Sequence, residues 1–151
     1  MLTIETIKKN FTFIKAIDEN TECYHETEQF PEHGKFCDIY FMSIQKELTQ
    51  KQVDIFNDFK NNFKQYIPRI EQEIPNILKP SELNRLEEIK KSTLLFDVIE
   101  IPQNKSEYDL LLVCGKTFKK LLFIKVNIDL HVEFKGKEIA LVKRKKYYRL
   151  Y

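Results

Sequence analysis

From residue 122 to residue 134, apolar side chains occupy every second position: Leu122, Ile124, Val126, Ile128, Leu130, Val132 and Phe134. After Phe123, the positions between them hold Lys125, Asn127, Asp129, His131 and Glu133. Alternate side chains share a face only in a β-strand, so the run predicts a strand with one dry and one wet face. A wet face belongs to an antiparallel sheet packed on one side only. A strand of this length would extend about 43 Å at ~3.3 Å per residue, well beyond the usual five or six residues. Asn127 and Asp129 are poor strand formers, so the sequence predicts a bend, bulge or break near 127–129.

Other segments extend this β-rich reading. The first stretch is ambiguous: Ile4, Ile7, Phe11 and Ile14 follow helical spacing, while Phe11–Ile14 also fits a strand. Thr21–Thr27 is strand-like and leads to a loop at Pro31-Glu32-His33-Gly34. Phe36–Ile44 is rich in aromatic and branched residues and reads as a buried strand. Thr49 and Gln52 have the spacing of a capping box, flanked by Leu48 and Val53 at the positions of a hydrophobic staple. Apolar residues then recur at steps of three and four from Val53 to Ile74, predicting a helix over about 50–67 that continues with a bend to about 78. Pro68 and Pro75 are the reasons for the bend, because each removes a backbone donor. Ser81 is placed to cap a short helix with Leu83, Leu86 and Ile89 inward. Strands are predicted at Thr93–Ile101 and Tyr108–Cys114, then a turn at Gly115–Lys120. Lys135-Gly136 makes a hairpin into Glu138–Lys143. The fold class predicted is α+β: one domain over 1–151, with a mostly antiparallel sheet of five to six strands and a long kinked helix on one face.

Composition narrows the function classes. The chain is 42% hydrophobic and 32% charged, and no apolar run approaches the ~20 residues that span a bilayer. Three cysteines and no basic-then-apolar leader predict free thiols in a cytoplasmic protein. The net charge of +2 hides a split: residues 1–101 carry 18 acidic against 13 basic side chains, and residues 102–151 carry 5 against 12. Such a split orients a molecule towards a charged partner.

Candidate chemistry is sparse. Cys23, His25, His33 and Cys37 are residue types that ligate zinc, with 23 and 25 on one strand face, but they contain no C-x2-C pair. With three glycines in the chain there is no phosphate-cradling loop, and no serine has a G-x-S-x-G context. A Cys114–His131 pair across neighbouring strands would be the remaining nucleophile–base arrangement. The sequence therefore predicts no catalytic residue and no cofactor. Two surfaces suit a protein partner: the acidic stretch 18–32 with Glu22, Glu26 and Glu28, and the polar strand face with Lys125, Asp129, His131 and Glu133. A different reading is a nucleic-acid contact through Lys143, Arg144, Lys145, Lys146, Tyr147, Tyr148 and Arg149, which join phosphate-binding cations to rings that stack on bases.

The segments DIYFMSI, KELTQKQVDIFNDFKNNF and YDLLLVCGK…LLFIKVNIDLHVEFKGKEI, in that order, resemble small bacterial proteins of the toxin-immunity type over about residues 36–142. The resemblance implies a cytoplasmic protein without catalysis that blocks a cognate toxin through a charged surface. It carries no motif from which individual residues can be assigned a role.

Overall fold

The computed structural model describes residues 1–15, 21–30, 36–104, 107–121 and 124–145. In chain order these form helix α1 (Ile4–Asn10), strands β1 (Thr12–Lys15), β2 (Glu22–Gln29) and β3 (Phe36–Ser43), and helices α2 (Gln50–Asn62), α3 (Tyr66–Ile77), α4 (Pro80–Leu83) and α5 (Leu86–Lys91). Strands β4 (Leu95–Ile101), β5 (Leu110–Leu121), β6 (Ile124–Lys135) and β7 (Glu138–Arg144) follow. The fold is α+β, as predicted. Its sheet has seven strands rather than five or six, in the order β1-β2-β3-β4-β5-β6-β7. Every neighbouring pair is antiparallel except β3–β4, which is parallel. A parallel pair needs a long crossover, and α2 to α5 supply it.

The ambiguous start is both things at once. Thr3 caps α1, accepting from the Thr6 N–H, and the chain then extends at Phe11 into the four residues of β1. The capping box at Thr49 forms as the spacing requires: Gln52 N–H donates to Thr49 Oγ1 at 3.3 Å, and Thr49 N–H donates to Gln52 Oε1 at 2.9 Å. Gln52 does more than cap. Its buried amide donates to Met42 O at 2.7 Å and to Ile101 O at 3.1 Å, bridging the ends of β3 and β4. The long helix bends through a 3₁₀ turn at Phe63–Gln65, ahead of Pro68. Pro68 itself falls in the first turn of α3, where its missing N–H has no intrahelical partner to lose; Pro75 lies inside α3. Ser81 is not the cap of α4. Pro80 occupies the first position there, Glu82 accepts the Lys79 N–H at 2.8 Å, and Leu83 is exposed rather than inward.

Two expectations for the long hairpin fail. Gly115–Lys120 is not a turn, because β5 runs through it to Leu121. Gly115 is small for another reason: a Cβ there would lie 2.6 Å from Asp129 Oδ1 and 2.9 Å from Ile128 O. It permits close approach of β6. No break occurs at 127–129 either, and β6 pairs regularly with β5 across that stretch. Thr117 Oγ1 donates to Asn127 Oδ1 at 2.8 Å, and Asp129 sits opposite the glycine. Both poor strand formers are thereby accommodated, and the irregularities fall instead at Lys119/Leu121 and at Glu133/Phe134.

One face of the sheet meets the helices. Ile39, Phe41, Phe96, Ile99, Leu112, Leu130, Val132 and Phe134 pack there with Phe56, Phe59, Tyr66, Ile70 and Ile89. Phe59 touches the rings of Phe30, Tyr66 and Phe96 at centroid distances of 6.0, 5.0 and 5.6 Å. Lys116 points into this layer as well. Its buried ammonium donates to Ser92 O at 2.8 Å and Lys90 O at 3.2 Å and pairs with Glu71 Oε1 at 2.6 Å, so its charge is fully met while β5 is tied to α3 and α5.

Candidate functional site

The opposite face of the sheet carries the polar residues of the alternating strands. Strand register arranges them in two rows that cross six strands. One row reads Thr27, Asp38, Val98, Val113, His131, Lys143. The next reads His25, Tyr40, Glu100, Leu111, Glu133, Leu141. Neighbours within a row stand about 4.8 Å apart, the spacing between strands.

The first row is apolar at its centre, with Val98 and Val113, and the second sets Glu100 beside Leu111. Tyr108 covers Leu111 and Val113 beside Val98 and donates its hydroxyl to Glu100 Oε1 at 3.1 Å. Each flank holds a histidine and a carboxylate. On β2–β3, His25 Nε2 lies 3.1 Å from Asp38 Oδ1, Thr27 Oγ1 donates to the same oxygen at 2.8 Å, and Tyr40 stacks on the imidazole at 4.7 Å. The Thr27 hydroxyl, then the His25 ring, hold the Asp38 carboxyl below its usual range. Burial pushes the Tyr40 hydroxyl up, with Asp38 adding to the shift. On β6, His131 Nε2 lies 2.7 Å from Glu133 Oε1. The result is an apolar strip roofed by a tyrosine, with a polar and charged border on both sides.

The sequence-predicted residues distribute unevenly over this frame. His131 and Glu133 form the β6 flank, and Lys125 is exposed further along the same strand. Asp129 is 9% exposed and lies over Gly115. Glu22, Glu26 and Glu28 are on the other face of β2. Glu22 accepts the Lys46 N–H and pairs with Lys15, Glu28 pairs with Lys60, and Glu26 accepts the Thr27 N–H. Glu22 thereby braces the turn at Gln45-Lys46, where both residues have positive φ (52° and 62°).

The zinc reading does not survive the register. Cys23 and His25 face the open side, whereas Cys37 lies in the core beneath the sheet. His33 lies outside the described residues, among which no group of three or more His, Cys, Asp or Glu is placed to hold a metal ion. The Cys114–His131 pair fails on the same parity. Cys114 is opposite Leu130 in the core, and burial, helped by Asp97 and Asp129, pushes its thiol far up and keeps it protonated.

Of the basic C-terminal set, Lys143 is exposed beside His131, and the Lys145 N–H extends the ladder to Asp129 O. Arg144 is committed elsewhere: its guanidinium grips the Glu82 carboxylate at 2.5 and 3.1 Å. Burial pushes the Glu82 carboxyl up, but the Arg144 and Lys79 hydrogen bonds outweigh it and leave the group below its usual range. Lys146, Tyr147, Tyr148 and Arg149 lie outside the described residues.

Sequence reasoning missed Tyr40, Glu100, Tyr108, Leu111 and Leu141 as members of the open face. Their signal was strand register, which needs the pairing of distant segments. The chain matches no protein-family model, no curated protein and no solved structure. No helix among the described residues is long and apolar enough to cross a membrane.

Proposed function

We propose that this is a non-catalytic binding protein that recognises its partner with the open face of the sheet, and that the partner is a bacterial toxin which it blocks. One observation carries the reading. The helices cover a single side of the sheet, and the other side presents half-buried Tyr40 with exposed Leu141 and Lys143 beside the His25–Asp38 and His131–Glu133 pairs, around a centre where Tyr108 and Leu111 are already buried. Apolar and aromatic groups within a polar rim are the anatomy of a protein interface. The charged border would set orientation and partner choice, while Tyr40 and Leu141 supply apolar area for a partner to cover. The toxin identity rests on the resemblance in sequence pattern alone.

The test is co-expression. A toxin encoded directly upstream of this gene is expressed in a bacterial host with and without the present chain. Restored growth and a co-purifying complex are expected. A toxin that kills equally in the presence of this protein, or a gene with no adjacent toxin, overturns the reading.

A further inference from the structure

β7 is the last strand of the sheet. It pairs with β6 on its inner side, and among the described residues no strand pairs with it on its outer side. An open strand edge is a template for another strand. Ala140, Leu141 and Lys143 are exposed along it. The direction of its unpaired backbone groups follows from one bond. The Lys145 N–H donates inward to Asp129 O, so Lys143, two residues back, also turns its N–H and C=O inward, towards His131. Val142 and Arg144 therefore turn theirs outward, away from β6.

Most charges along this edge are matched within the chain. Arg144 is held by Glu82, Glu138 by Arg69, Lys135 by Asp109 and Lys137 by Asp58. Lys143 has no carboxylate partner among the described residues. Glu133, which stands opposite Leu141, has the His131 ring but no lysine or arginine among them.

We propose that β7 pairs antiparallel with β7 of a second copy of this chain, so that two sheets run on as one. Faces and charge select the register. With Val142 opposite Val142 of the second copy, each donates its N–H to the other's C=O. Leu141 then stands opposite Lys143 on the open face, and Arg144, drawn to Glu82, stands opposite the small Ala140. A shift that opposes Val142 to Arg144 would set Lys143 directly against Lys143, which like charges disfavour. The opposite shift would set Lys143 against Ile139, which packs on the covered face after the irregularity at Glu133/Phe134. In the selected register each Lys143 lies two strand spacings, about 10 Å, from Glu133 of the other copy. The two side chains can meet over Leu141, twice by symmetry. The two-fold axis stands perpendicular to the sheet, so both open faces point the same way and stay uncovered. The dimer and the proposed function do not require each other.

So short a pairing buries less than the ~1,200 Å² of stable complexes, and the dimer is accordingly reversible and concentration-dependent. Sedimentation equilibrium of the full chain from about 10 μM to about 1 mM tests it, with the apparent mass expected to rise towards twice that of the chain. Val142→Pro removes an outward N–H without touching the ladder to β6, and should weaken association at least tenfold, since symmetry removes two bonds. Lys143→Glu should weaken it as well, and combining Lys143→Glu with Glu133→Lys should restore it. Lys143→Glu also carries the test if Val142→Pro fails to fold. A chain that stays monomeric throughout overturns the proposal. So does a dimer that persists unchanged in Val142→Pro and Lys143→Glu proteins whose circular dichroism matches wild type.

Discussion

The two faces of the sheet are built from the same strands, residue by residue in alternation, yet they solve different problems. On the covered face, Phe59, Phe96, Phe134 and their neighbours interlock with the helices, and its buried cation, Lys116, has all its charge met. On the open face, polar groups pair with one another across or along the strands: His25 with Asp38, Glu100 with Tyr108, His131 with Glu133. Paired polar groups lower the cost of covering that face with another molecule, since these six residues arrive at the interface already partnered. Stability rests on the covered face, and the proposed function assigns recognition to the open one.

The contrast can be broken by mutation. The largest effect is expected from Phe59→Ala. The side chain is fully buried among aromatic rings, and its removal should cost about 3–5 kcal/mol in urea unfolding. A loss below ~1 kcal/mol would mean that the helices do not pack on the sheet as described. Lys116→Ala follows, at roughly 2–4 kcal/mol, because Ser92 O and Lys90 O lose a buried donor and the packed stem is lost with it. A neutral result would show that water reaches this site.

Acid should act through carboxylates at the periphery. Burial pushes the Asp109 carboxyl up, but the Lys51 hydrogen bond, the Gly136 N–H and Lys135 outweigh it, so the group stays below its ordinary value of 3.8. Asp38 and Glu22 are lowered as well. A carboxyl whose folded pKa is depressed contributes stability that is fully present above its unfolded pKa. That contribution is lost as pH falls through the folded pKa. Urea unfolding should be flat above about pH 5 with respect to these groups and should weaken progressively below about pH 4. Asp109→Asn should shallow that decline, and an unchanged slope would remove Asp109 from the account. The smallest effect belongs to the open face: Tyr108→Phe should cost about 1 kcal/mol or less, since the ring still covers Leu111 and Val113.

Local signals in the sequence carried far, and pairing signals did not. The alternation at Ile128, Leu130, Val132 and Phe134 placed these side chains in the core. The Thr49–Gln52 box and the apolar spacing after it placed the long helix. Gly115 was misread because a glycine inside a strand looks like a turn until the strand that crowds it is known. The Gln45-Lys46 turn has left-handed backbone without Asn or Gly, so its composition gave no warning; Glu22 and the Tyr24 hydroxyl hold it, bonding to Lys46 N–H and O. His131 and Glu133 were recognisable as polar neighbours on one face of one strand. Their partners in the surface, Tyr40, Glu100 and Leu111, come from three other strands and become visible only through register.

The division of labour between the faces is tested most directly by one double variant, Glu133→Lys with Leu141→Asp, on the open face. Its urea-unfolding free energy should lie within about 1 kcal/mol of wild type, as surface substitutions do, while protection against the upstream toxin and co-purification with it are lost. A variant that still binds and protects, or one that fails because it unfolds, would contradict the assignment of recognition to the open face.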